Sequence, residues 1–175
     1  MSDTFALTPD TTREVLAALT EISDEGGRDY ADLFQKVAEG QTLLEALGLP
    51  PATVDILYAQ AFSRFEARRL TEALHLFQTL TLLAPKVKDH WLGLGICLRV
   101  VEEDQAAQIV FETAAALAPG CPAVLFHRIE LACHQQDWNA AQRLITQFEG
   151  LEDSGERQRM APEVQRLATL VRSRV

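Results

Sequence analysis

The sequence predicts an all-α fold: three stacked helix–turn–helix repeats, preceded by N-terminal helices and closed by one C-terminal helix. Two observations carry this reading. From Leu57 onward the chain repeats itself at a 34-residue step, and the punctuation between apolar stripes is helical throughout. No alternating run bounded by hairpin turns calls for a strand. At 175 residues, with 47% hydrophobic and 23% charged side chains, the chain is long enough to bury a sizeable core.

The elements follow in order. Thr8-Pro9 reads as an N-cap with Pro at the first helical position, opening a helix that carries Val15, Leu16, Leu19 and Ile22 on one stripe and ends at Gly26-Gly27. A second helix is expected from about Asp29 to Glu39, with Gly40 as its stop. Thr42 and Glu45 have capping-box spacing for a short helical turn that Gly48 closes, and Pro50-Pro51 separates this region from the rest. The resulting division is residues 1–50 as an N-terminal helical region, 51–150 as the repeats and 151–175 as a C-terminal capping segment. That last segment is expected to be a capping helix, and its stretch after Pro162 carries Val164, Leu167, Ala168 and Val171 on one stripe.

Within the repeats, Ala61 and Gly95, Ala73 and Ala107, Phe77 and Phe111, and Pro85 and Pro119 are each 34 residues apart, and the step continues to Ala141 and Ile145. This is the tetratricopeptide signature. The middle copy is nearly complete, running Trp91-x2-Leu94-Gly95-x2-Leu98, then Ala107-x3-Phe111, then Pro119. Small residues let the paired helices approach, large ones fill the space beside them, and Pro stops the second helix. The flanking copies depart: Gln60 replaces the usual Leu, and Ile129 stands where a small residue belongs, which predicts wider helix spacing in the third repeat. Asp104, in the Glu102-Glu103-Asp104 turn, is expected to cap the helix that follows.

The first helix of each repeat carries a second apolar stripe that should line the concave surface of the superhelix. It comprises Tyr58, Phe62 and Phe65, then Leu92, Ile96 and Arg99, then Phe126 with Glu130 and Cys133. The groove would be aromatic at one end and more polar at the other, suited to an extended peptide with apolar anchors.

Charge and chemistry exclude other classes. Net charge is −9, and residues 1–56 hold 11 acidic against 3 basic side chains, so nucleic-acid binding is disfavoured. Neither a signal peptide nor a membrane-spanning run is evident, and Cys97, Cys121 and Cys133 are odd in number and widely spaced, which fits a reducing, cytoplasmic address. No phosphate loop, nucleophile elbow or zinc motif occurs. Cys133, His134 and His127 fit no standard metal spacing. The expectation is a non-enzymatic binding protein without a cofactor or metal.

Gly40-x-Thr42-Leu43, Leu57-Tyr58-x-x-Ala61-Phe62, Leu92-Gly93-Leu94-Gly95 and Phe126-His127 together resemble the class II chaperones of bacterial type III secretion, the SycD/LcrH-like family, over roughly residues 30–149. The resemblance implies an all-helical chaperone in the bacterial cytoplasm that binds hydrophobic translocator proteins and keeps them soluble and apart before export. It implies that a client segment with spaced Pro and Leu lies against Tyr58, Phe62 and Phe65. It also implies a homodimer formed through the N-terminal helices, which carry Val15, Leu16, Leu19 and Ile22, and, in some members, help to a transcription activator. The repeat pattern alone also fits a generic tetratricopeptide adaptor or a needle-subunit chaperone.

Overall fold

The computed structural model describes residues 30–174. The stripe Val15, Leu16, Leu19 and Ile22 lies outside them. The chain divides into two compact units, residues 1–53 and 54–175.

In the first unit, α1 (Tyr30–Ala38) packs on the short α2 (Leu43–Ala46). Gly40, at φ 97°, lets Gln41 N–H donate back to the Lys36 carbonyl and ends α1. The expected capping box is present: the Thr42 backbone N–H donates to Glu45 Oε2 (2.7 Å), and the Glu45 N–H donates to Thr42 Oγ1 (3.3 Å). Gly48 closes the turn at φ 65°.

The second unit is a run of helix pairs: α3 (Ala52–Glu66, its first turn shared with the preceding unit) with α4 (Leu70–Leu83), α5 (Lys88–Val100) with α6 (Asp104–Leu117), and α7 (Pro122–His134) with α8 (Trp138–Glu149). A final helix, α9 (Gly155–Arg172), follows. The backbone itself keeps the 34-residue step. Arg68, Glu102 and Gln136 are left-handed, at φ 60°, 66° and 59°. After each, the next N–H donates to a carbonyl five residues back: Arg69 to Arg64, Glu103 to Leu98, Asp137 to Ala132. Each helix pair is thus joined by the same tight Schellman-type turn, and the third repeat keeps the register despite Ile129.

Two small residues fix how closely the helices approach. A Cβ on Gly93 would lie 2.2 Å from the Phe77 ring of the preceding helix, and one on Gly95 would lie 2.4 Å from the Phe111 ring of its own partner helix. Phe111 is fully buried and cannot step aside. In the third repeat the same pair becomes Ile129 and Ile145, both fully buried. The smaller Ile145 makes up only part of the volume that Ile129 adds, so the third pair is the bulkier one, in line with the wider spacing expected there.

One core cluster joins the first two repeats, around Ala61, Ala73, Phe77, Leu94 and Phe111. A second joins α7, α8 and α9, around Ile129, Ile145, Phe148, Val164 and Val171. The last helix begins seven residues before Pro162: Ser154 Oγ accepts from Arg157 N–H (3.1 Å), and the helix runs through an exposed Pro162. An N-cap upstream outweighs a proline whose lost hydrogen bond faces water. Asp104 differs from expectation. It starts α6 without capping it, and its Oδ2 pairs with His134 Nδ1 (2.8 Å). Asp137 is the residue that caps, accepting from Ala140 N–H (2.9 Å).

Among the described residues there is no strand, and no helix is long and apolar enough to cross a membrane. Gly95→Ala should lower stability by about 1–2 kcal/mol, because overpacking against Phe111 exceeds the helix-propensity gain. Gln136→Gly should raise the melting temperature by about 2–4 °C by relieving the left-handed backbone. Thermal unfolding followed by circular dichroism checks both.

Candidate peptide-binding groove

The second stripe of the first helices is only partly covered. On α3, Phe62 is 51% exposed, one of the most open aromatic side chains among the described residues. Three residues on, Phe65 is half-buried against the first core cluster. Tyr58 is held more firmly than a free groove residue would be. Its ring meets Phe77 edge-on at 5.9 Å and lies 6.1 Å from His90, so it ties α3 to α4 and to the start of α5. Burial, followed by repulsion from Asp89, pushes the Tyr58 phenol above its ordinary range, with Lys88 opposing. The phenol stays neutral at physiological pH and is able to donate.

On α5, Leu92 and Ile96 are half-buried and pack on the same core, each leaving one side open. On α7, Phe126 is half-buried against the second core cluster and lies 5.0 Å from the His127 ring. Helices α5 and α7 touch directly, so their stripes adjoin.

Polar side chains close that joint. Arg99 Nη2 lies 3.3 Å from Glu130 Oε2, and the same oxygen meets His127 Nδ1 at 2.7 Å. His127 in turn stacks on Phe111, with centroids 6.1 Å apart and planes within 8°. Burial opposes ionisation of Glu130, but the His127 hydrogen bond and the Arg99 charge outweigh it and hold the carboxyl below its usual range. Glu130 is therefore a carboxylate that bridges two repeats. Arg99 Nε is buried without a partner, which leaves one donor beside the stripe unused.

Of the residues expected to line the groove, the structure brings Arg99 onto Glu130 and draws Tyr58 into the joint between repeats. Phe62, Leu92, Ile96 and Phe126 keep open sides. The Arg99–Glu130–His127 bridge was missed in sequence. Its signal is arithmetic: Glu130 lies one helical turn before Cys133, the position equivalent to Arg99 one repeat on, so opposite charges face each other across adjacent first helices. No group of three His, Cys, Asp or Glu side chains among the described residues is placed to hold a metal ion. His127 and His134 are committed to Glu130 and Asp104. Cys97 is fully buried in the core, and its thiol is pushed up to about 11, which makes it a poor nucleophile.

No family model and no curated protein matches the sequence. Solved structures do match its fold. A type III secretion complex from Aeromonas hydrophila aligns with TM-score 0.73 at 20% identity, covering 80% of this chain and 94% of that one. SycD, the translocator chaperone of Yersinia enterocolitica, aligns in its complex with a peptide of the translocator YopD with TM-score 0.67 at 20% identity, covering 71% and 96%. PcrH of Pseudomonas aeruginosa, bound to the chaperone binding region of PopD, gives 0.66 at 22%, covering 73% and 96%. At these identities the likeness establishes the fold: the tetratricopeptide superhelix expected from the 34-residue step.

His90 links the groove to pH. It is buried behind Tyr58, with Nδ1 3.2 Å from the Ala84 carbonyl oxygen. Burial lowers its pKa, and hydrogen bonds to the Ala84 and Leu80 carbonyls only partly offset that. The unfolded chain then binds a proton at His90 at a higher pH than the folded chain does. Stability is complete above about pH 6.5 and declines as pH falls below it. Urea midpoints should drop between pH 7 and pH 5, and His90→Gln should flatten that drop. Glu130 acts in the same direction but only in a more acidic window, below the ordinary carboxylate range.

Proposed function

We propose that this chain is a chaperone of type III secretion translocators, resembling the SycD/LcrH-like class, which holds an extended client segment along the stripe of its first helices. The observation that carries this is the half-open row Phe62, Leu92, Ile96 and Phe126 on first helices, in a fold whose solved neighbours SycD and PcrH carry translocator segments. Phe62 and Phe65 supply the aromatic anchors, and Tyr58 forms a rigid wall beside them. Leu92 and Ile96 form the apolar floor. Arg99, bridged to Glu130, marks where the floor turns polar.

The mechanism needs no bond-making step. A translocator exposes membrane-inserting surface in water and self-associates when free. A chaperone that binds one linear segment lowers the free concentration of that species by mass action. Two more parts of the reading rest on the resemblance alone: action in the bacterial cytoplasm and a homodimer formed through residues 1–50, with Val15, Leu16, Leu19 and Ile22 at the contact.

Phe62→Ala is the cleanest test, because half of that side chain already faces solvent, whereas Tyr58→Ala would also remove the contact with Phe77. The variant should stay fully helical and lose about 1–3 kcal/mol of client binding, about 5- to 150-fold. Tagged protein co-expressed with a hydrophobic translocator should recover it as a soluble 1:1 complex, and Phe62→Ala should recover markedly less. A folded Phe62→Ala protein that binds as tightly as the parent removes the groove assignment.

A further inference from the structure

Position 128 breaks the repeat in a way the groove does not explain. One step earlier stands Leu94, a core residue 6% exposed, and two steps earlier stands Gln60, exposed on α3. The third repeat places Arg128 where the second buries its leucine, and Arg128 is only half-buried. The joint between α6, α7 and α8 is left unplugged on either side of it. One hollow of about 290 Å³ includes Glu112 and Arg143 in its lining, and another of about 310 Å³ includes Cys121 and Leu151. Arg128 and Gln147 border both, so the two hollows adjoin at these side chains over α7 and together form the cleft. Its lining runs along α6 from Gln108 to Ala118 just past the helix end, about 15 Å, which is the reach of about five extended residues.

The charges within it are unbalanced in their partners. Glu112 accepts from Gln108 Nε2 (3.2 Å), and Asp137 caps α8. Arg128 and Arg143 form no ion pair or hydrogen bond among the described residues. A leucine exchanged for an arginine, with no acidic partner supplied, sacrifices packing with no gain inside the chain itself. We propose that this cleft is a second binding site, distinct from the groove of the first helices. Its occupant is an extended partner segment in which a glutamate or aspartate is flanked by aliphatic residues. The carboxylate takes the planar fork of Arg128 with Arg143 beside it, and the aliphatic side chains enter the two hollows.

The probe is a fluorescein-labelled hexapeptide of leucine and glutamate, with glutamate at its second and fifth positions, titrated with the full chain by fluorescence anisotropy at low salt. Saturable binding is expected, at least tenfold weaker for the same peptide with glutamine in place of glutamate. Arg128→Leu should weaken it at least tenfold while raising the melting temperature, since leucine restores the plug. Arg143→Gln should weaken it severalfold with the melting temperature unchanged, and Phe62→Ala should bind as the parent does. The proposal fails if the two peptides bind alike, if Arg128→Leu binds undiminished or melts lower, if Phe62→Ala abolishes binding, or if no saturable binding occurs.

Discussion

The close approach of small residues to aromatic rings governs everything else in this fold. Gly93 against Phe77 and Gly95 against Phe111 leave no room for a single methyl group. These two contacts set how near α5 comes to the helix before it and to the helix after it. With both distances fixed, and with the same left-handed turn at Arg68, Glu102 and Gln136, each pair is placed on the last by one repeated operation. A superhelix follows because identical steps accumulate. The inner stripe of the first helices follows as well, since the faces used for pairing are spent on Ala61, Gly95, Ala107 and their rings, and the next face round the helix is left over.

That leftover face is where stability and the proposed function meet. Leu92 and Ile96 serve the core with one side and the groove with the other, so a ligand lying on them would add contacts between repeats that already touch. In a fold whose repeats contact only their neighbours, each added contact between adjacent repeats strengthens cooperativity along the whole stack. Tyr58 carries this furthest. Its ring spans α3, α4 and α5 by meeting Phe77 and His90, so a client pressed on it would load three helices at once. Phe62 is the opposite case. Half of it faces solvent, open to a partner.

Much of the fold was legible in sequence because its determinants are local or periodic. The capping box at Thr42 and Glu45, the stops at Gly40 and Gly48, and the Ala, Gly and Phe positions at a 34-residue step all depend on short-range geometry or on one repeated contact. Pro162 does not break the C-terminal helix, because Ser154 caps it upstream and the proline faces water. Misreadings arose where a partner came from elsewhere. Asp104 reads as a cap, yet His134, thirty residues on, takes its carboxylate. The Ile129 departure predicts a wider spacing, and the third repeat accommodates that buried side chain with the register of its turn kept. Ile145 in place of Phe returns only part of the volume that Ile129 adds. The candidate site was less legible for the same reason: the stripe could be listed from spacing, but not which members the core claims.

The polar substitutions concentrate in the third repeat, and their placement separates two kinds of cost. Glu130 stands where the first two repeats have Phe62 and Ile96, and it is fully answered: His127 and Arg99 both reach it, and its carboxyl titrates low as a result. An ion pair so placed adds little net stability, but it ties the second repeat to the third in one register. Arg128, two residues before it, is not answered at all. A side chain with five donors, half-buried beside two hollows and with no ion pair or hydrogen bond among the described residues, is a local inconsistency in a chain that is otherwise consistent from cap to core. Within one turn of one helix, the same repeat therefore holds a charge that serves the stack and a charge that the stack does not use. A packing requirement accounts for the first; only a partner outside the chain accounts for the second.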